Sequence, residues 1–329
     1  MTDLSSQKFP QFGDLRQALA QYTVGIAFLA LVLLNLLITP NFASMNTISV
    51  NLTQVCTIVI VAVGMTFVIA SGGIDLSVGS TMAIAGALAP LIFTGAFLGI
   101  TDPFFGVVVA IVLPLVVGGC LGLFNGFLIT HYNIQPIVAT LVLFVTGRGI
   151  AQVLTNGSLQ VFNRPDFQFI ALARLWGIPV QVFIMLAVVF LGAFLLRKTL
   201  FGRYLLASGG NAAAAKMVGI NVRWVRLVAY AICGVLSALA GLIVVARNGA
   251  SDANLVGLGI ELDAIAAAAI GGTLLTGGRA TILGTFLGAC VIQLVRYTLL
   301  ANGVPDSAAL VFKAVIIILA VRIQRKHVN

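Results

Sequence analysis

Apolar residues in this chain come in long runs, not with the period of two or of three to four that marks half-buried elements. Most runs approach the roughly 20 residues that carry a helix across a bilayer. Ten spans are expected, near 22–39, 51–70, 80–98, 104–130, 135–155, 178–196, 227–246, 263–275, 280–300 and 307–321. The eighth is short and rests on the alanine-rich run 264–272. Its small side chains let backbones approach closely, which suits a helix buried in a bundle. Residues 22–39 are too long for a signal-peptide core and lack a small-residue cleavage site, so they read as a retained first span. The expected fold class is all-α, a polytopic membrane helix bundle.

The most telling interruption is 71–80, SGGIDLSVGS, between the apolar runs 55–70 and 81–93. It carries Asp75 with no basic residue near it in sequence, surrounded by Gly72, Gly73, Ser77 and Gly79. Glycine lets a helix break, and non-helical backbone at membrane depth survives only where protein or a watery cavity covers it. Two readings stand: a polar turn between spans, or a broken helix beside a transport path.

Composition agrees with the runs. Of 329 residues, 60% are hydrophobic and 8% charged, against about 25% charged in a soluble domain. The net charge of +9 does not point to nucleic acid, because no basic patch is interleaved with aromatics. Basic residues edge the apolar runs instead. With the amino terminus inside, Lys8, Arg16, Arg197, Lys198, Arg203, Lys216, Arg223, Arg226, Arg279, Arg322, Arg325 and Lys326 fall inside, and only Arg164, Arg174 and Arg247 fall outside. That bias places both termini in the cytoplasm and requires an even number of spans. The organisation expected is a cytoplasmic segment 1–21, a membrane domain 22–321 with an inner segment 197–226, and a cytoplasmic tail 322–329.

Shifting the sequence by 186 residues lays Gly73-Ile74-Asp75-Leu76 over Gly259-Ile260-Glu261-Leu262. In a five-plus-five arrangement the two motifs face opposite sides, as an inverted-topology repeat requires. Chance similarity between apolar stretches is the competing account.

The inner segment 197–226 holds six basic residues and no acid. Within it, GGNAAAAKMVGI (209–220) sets Asn211 as a helix cap before alanines and Gly219 as a stop. A short helix projecting into the cytoplasm fits a docking surface, with a connector held near anionic lipid headgroups as the alternative. On the outer side, 155–179 carries Arg164, Asp166 and Arg174, and 246–263 carries Arg247, Asp252, Glu261 and Asp263. These mixed-charge faces could orient a soluble partner.

Several chemistries are missing. No phosphate loop occurs, nor any Gly-Lys dipeptide, so ATP hydrolysis by this chain is not expected. His131 and His327 belong to no metal-spaced cluster, and Cys56, Cys120, Cys233 and Cys290 sit as small hydrophobes within apolar segments. No cofactor, metal site or enzymatic activity is expected. Glu261 and Asp263, two residues apart, would point to different sides of a helix.

Charges within spans carry more information. Lys313 lies midway along the tenth span and Arg148 in the outer half of the fifth. An unpaired cation in lipid costs several kcal/mol, so each should face the bundle interior. Asp75, Glu261, Asp263 or carbonyls freed at helix breaks are the available partners, and Arg296 can snorkel to the interface. Thr66, Asn125, Gln135 and Gln152 add hydrogen-bonding groups, and Phe67, Phe124 and Phe144 offer faces for a sugar ring. The same residues would serve equally as glue between helices.

Three stretches, GMTFVIASGGIDLSVGS (64–80), GRYLLASGGNAAAAKMVGINV (202–222) and GIELDAIAAAAIGGTLLTGG (259–278), resemble the permease subunits of bacterial monosaccharide ABC importers, the ribose, xylose, arabinose and galactofuranose group. The likeness runs from about residue 38 to 321. NIQPIVATLVLFVTGRGIAQ (133–152) and ASDANLVGLGIELDA (250–264) look most like the galactofuranose-type member. The resemblance implies a permease paired with a second permease copy or a relative of it, a cytoplasmic ATPase and a periplasmic sugar-binding protein. It implies that 209–219, with Gly209, Gly210, Asn211, Ala212, Ala215, Lys216 and Gly219, enters a groove on the ATPase. Transport would proceed by alternating access, with Asp75, Ser77, Phe67, Asn125, Phe144 and Arg148 as candidates along the path. Glu261, Asp263 and Lys313 would form ion pairs, and Arg164, Arg174 and Arg247 would meet the binding protein. A stand-alone secondary transporter and a passive channel are the competing classes.

Overall fold

The computed structural model describes residues 12–305 except 101, together with 308, 311 and 314. Lys313, most of the expected span 307–321 and the tail 322–329 lie outside the described residues, as do residues 1–11. The described chain folds in the order α1 Phe12–Ile38, α2 Met45–Ala70, α3 Val78–Phe93, α4 Pro103–His131, α5 Pro136–Leu154, β1 Gln160–Val161, α6 Pro165–Leu172, β2 Arg174–Leu175, β3 Ile178–Pro179, α7 Val180–Lys198, α8 Leu200–Gly210, α9 Ala212–Met217, α10 Val222–Asn248, β4 Ala250–Ser251, α11 Ile260–Ile270 and α12 Ile282–Ala301. Helix starts follow their capping residues. Ser44, Asp102, Asn221 and Thr281 each accept from a backbone N–H three residues on, and Pro103 occupies the first position of α4.

Six helices among the described residues are long and apolar enough to cross a membrane: α2, α4, α5, α7, α10 and α12. α3 has 16 residues and α11 has 11, so at 1.5 Å per residue they reach about 24 and 16 Å, short of a roughly 30 Å hydrocarbon layer. The expected eighth span at 263–275 is thus a half-helix that starts and ends three to five residues earlier. All nine expected spans in the described region contain a helix.

α2 sits at the centre. Every residue from Val55 to Ala70 is buried, because the helix is apolar on all sides and packs against α7, α10, α11 and α12. α4 and α10 approach most closely, through small residues. Gly118, Gly122 and Gly126 recur every four residues and lie on the α10 backbone near Gly234, Tyr230 and Leu227. In lipid, where burial gives helices no advantage over acyl chains, such close backbone packing holds them together. α1 joins the rim by side-chain amides: Asn35 Nδ2 donates to Thr298 Oγ1 at 2.7 Å, and Asn302 Nδ2 to Thr39 Oγ1 at 3.1 Å.

At one end of the bundle, two-residue antiparallel pairings that an all-α expectation omitted order the loops. β1 pairs with β4, and β2 with β3. Two-residue ladders carry no alternation for a sequence pattern to show. At the opposite end lie α8, α9 and two interruptions, 71–77 after α2 and 271–281 after α11.

The candidate translocation core at two helix breaks

α2 stops at Ser71, whose hydroxyl donates to Val68 O at 2.7 Å, and Gly72 turns the chain with φ +84°. That sign favours glycine because a Cβ would crowd the backbone. The break is covered by protein. Asp75, Ser77 and Ser80 are buried, Asp75 to 1% exposure. Asp75 Oδ1 accepts from Ser77 N at 2.9 Å and from Ser77 Oγ at 2.6 Å, and the Cys233 thiol faces the same carboxylate. Asn125 Nδ2 in turn donates to Ser77 Oγ at 2.9 Å. Asn125 is fully buried, and its Oδ1 has no hydrogen-bond partner among the described residues. The freed backbone is satisfied from neighbouring helices: Leu76 N donates to Thr140 Oγ1 at 3.1 Å, and Tyr230 OH donates to Ile74 O at 3.3 Å. Buried backbone groups need such partners, so α4, α5 and α10 all contribute to keeping the break open.

Sequence reasoning brought Asp75, Ser77 and Asn125 to this place but missed Thr140, Tyr230, Cys233 and Ser80. A hydroxyl inside an apolar run was the only local signal for Thr140, and nothing in sequence pairs it with a break more than 60 residues away; Ser80 closes the stretch 71–80, but its bond to Leu143 O, 63 residues on, has no local signal either.

The second break is built differently. Gly272 turns with φ +85°, Thr281 Oγ1 donates to Gly271 O at 3.0 Å and accepts from Gly284 N at 3.1 Å, and Thr281 N donates to Thr273 Oγ1. Thr285 joins it to α2 through Thr66, with the hydroxyl oxygens 2.9 Å apart.

α3 and α11 begin side by side. The Gly79 and Gly257 backbones are so close that a Cβ on Gly79 would sit on the Gly257 carbonyl oxygen and 2.8 Å from Glu261 Oε2. Glu261 and Asp263 are both buried in the first turn of α11, where carboxylates suit the positive end of a helix. Arg148 is not near Asp75. Its Nη1 donates to Ala253 O at 2.8 Å and Val256 O at 2.6 Å, and the charges of Glu261 and Asp252 act on it. Gln152 Nε2 adds a bond to Asn254 Oδ1 at 2.7 Å, so α5 pins the turn leading into α11.

Phe67 also lies apart from the Asp75 group, with its ring 6.1 Å from that of Phe201, whose other neighbour is Trp224. Phe144 is half-buried on α5, and Phe124 is 49% exposed on the outside of α4. Of the three arginines expected on the outer side, Arg174 is exposed. Arg164 Nη2 donates to Pro103 O at 3.2 Å and its guanidinium lies over the Phe93 ring, while Arg247 Nη1 donates to Thr53 O at 3.0 Å.

At the other end, Asn211 Oδ1 accepts from Ala214 N at 3.0 Å and starts α9, which Gly219 ends with φ +84°. Ala215 faces inward, whereas Lys216, Met217 and Val218 are exposed, the last two at 82% and 76%.

Known proteins give this arrangement a family. A profile described as "Branched-chain amino acid transport system / permease component" matches residues 47–321. The chain belongs to this family. The ribose import permease protein RbsC of Escherichia coli K12 is 39% identical over 306 residues, covering 92% of each chain. The galactofuranose transporter permease protein YtfT of the same organism is 40% identical over 276 residues, 84% of this chain and 79% of its own. The fructose import permease protein FruF of Bifidobacterium longum is 36% identical over 273 residues, 82% and 74%. The permease described here is therefore an integral membrane protein whose two helix breaks lie within the region matched by the family.

Proposed function

We propose that this permease is the membrane-spanning subunit of an ATP-driven importer carrying a monosaccharide, galactofuranose or a related pentose or hexose, from periplasm to cytoplasm by alternating access. The observation that carries this reading is the near full-length likeness to permeases named for ribose and galactofuranose import. A second permease copy or relative completes the pathway. A cytoplasmic ATPase supplies the energy, in keeping with the lack of a phosphate loop in this sequence. α9 is the coupling helix, presenting Lys216 beside the exposed Met217 and Val218. A sugar-binding protein docks on 155–179 and 246–263, where Arg164 and Arg174 meet it and Arg247 braces the N-terminal part of α2.

The membrane domain in this reading has ten spans in a five-plus-five inverted arrangement, in an inner membrane with both termini cytoplasmic. The half-helices α3 and α11, starting against one another at Gly79 and Gly257, support it. Sugar passes the Asp75–Ser77–Asn125 group, with Phe67, Phe144 and Arg148 moving with the walls. ATP binding must favour one state over the other for transport to be driven.

Reconstitution tests this directly. Liposomes holding the permease with its ATPase should take up sugar only with ATP and loaded binding protein, and permease alone should be inert. Saturable flux through the isolated permease would indicate a channel, and uptake that survives ATP depletion a secondary transporter.

A further inference from the structure

We infer that Gly209, Gly277 and Gly278, closed against Gly72, form a rigid joint that splices the segment entering α9 onto both helix breaks, so that a displacement of α9 reaches both breaks as one body. The inference rests on the importer reading and concerns the route by which α9 acts.

Three stretches far apart in sequence meet here backbone to backbone. Gly278 N donates to Ala70 O, the last residue of α2, at 3.1 Å. A Cβ on Gly209 would land on that same Ala70 oxygen and lie 2.7 Å from Gly278 N. On Gly278 it would lie 2.6 Å from Gly210 Cα, and on Gly277 2.9 Å from both Gly72 N and Gly209 O. Side-chain contacts can absorb a shift by changing rotamer; a contact made of main chain has no such slack and passes strain on. The joint is also directly connected. Asn211, the cap of α9, follows Gly210; Asp75 lies three residues after Gly72; and Thr281, the cap of α12, lies three after Gly278. Ser208, at the same corner, buries a hydroxyl that has no partner among the described residues, so the packing here is set by backbone geometry and leaves a donor unsatisfied.

A glycine with the same backbone strain supplies the control. Gly278 and Gly303 turn with φ +78° and +81°, so alanine strains the main chain alike at both, but a Cβ on Gly303 would meet nothing within 4 Å. Gly278→Ala and Gly303→Ala are therefore compared in liposomes holding the complete importer. For Gly278→Ala, ATPase association and basal hydrolysis should stay within about twofold of wild type, while uptake and binding-protein-stimulated hydrolysis fall by about tenfold or more. Gly303→Ala should behave as wild type throughout. Normal stimulated uptake by Gly278→Ala, loss of ATPase association along with uptake, or equal damage from both variants would overturn the joint. A second measurement leaves the glycines intact: spin labels at the exposed Ala213, Thr276 and Phe169. Through the ATP cycle the 213–276 distance should hold while the 213–169 distance changes. A 213–276 distance that changes as much, or no movement in either, overturns it. A wild-type complex that ignores ATP defeats the importer reading and the joint with it.

Discussion

The two helix breaks share one turn and differ in everything that fills it. Gly72 and Gly272 have φ of +84° and +85°, each directly after a helix of the central bundle. Yet the first break is organised by a carboxylate that collects donors from its own loop and by groups from three other helices. The second is organised by threonine hydroxyls acting on its own flanks. One backbone device thus serves two chemistries. The acid-centred break takes side-chain partners from across the bundle, whereas the hydroxyl-centred break bonds its own flanks through side chains and meets the rest of the bundle mainly through backbone, at Gly277 and Gly278.

The largest expected effect that would break this contrast is at Asp75. Asp75→Leu leaves the Ser77 N–H and hydroxyl buried without their acceptor, at about 1–3 kcal/mol each. Melting of the purified permease should drop accordingly and uptake should be abolished, with Asp75→Asn restoring part of both. Next comes Thr281→Ala, which removes the α12 cap and should cost about 1 kcal/mol, visible as a lower melting temperature with uptake retained. Asn125→Leu follows. It deletes one bond to Ser77 and at the same time an unpartnered buried oxygen, so stability should change by no more than about 1 kcal/mol while uptake falls. The smallest difference is expected between Gly72→Ala and Gly272→Ala. Each introduces left-handed strain of about 1–2 kcal/mol with no steric clash, so the two melting curves should nearly coincide. Clearly unequal curves would mean that the shared turn is only superficial.

How much of this was legible in the sequence depended on range. Apolar runs located the helices because crossing lipid is a local demand, and the glycines and serines of 71–80 announced the first break. The alanine run announced a short buried helix, although α11 proved to be 11 residues ending at Ile270. The second break was foreseen only in part: the expected spans 263–275 and 280–300 left 276–279 as an inner connector holding Arg279, whereas the helix already stops at Ile270 and the break runs over 271–281. The offset of 186 residues aligned Gly73–Leu76 with Gly259–Leu262, but the first four lie in non-helical chain and three of the second four open α11. Similar letters there carry different backbones. Thr140, Tyr230 and the Arg148 carbonyl contacts depend on which helices become neighbours, and no pattern along the chain encodes that.

The burial of α2 on every side also constrains biogenesis. Its final neighbours α7, α10, α11 and α12 are all synthesised after it, the last ending at Ala301. During translation α2 must therefore first rest against acyl chains and later exchange them for protein. The core of the permease closes only when nearly the whole polypeptide has left the ribosome, so a ribosome stalled before α12 holds a chain whose central helix is still facing lipid.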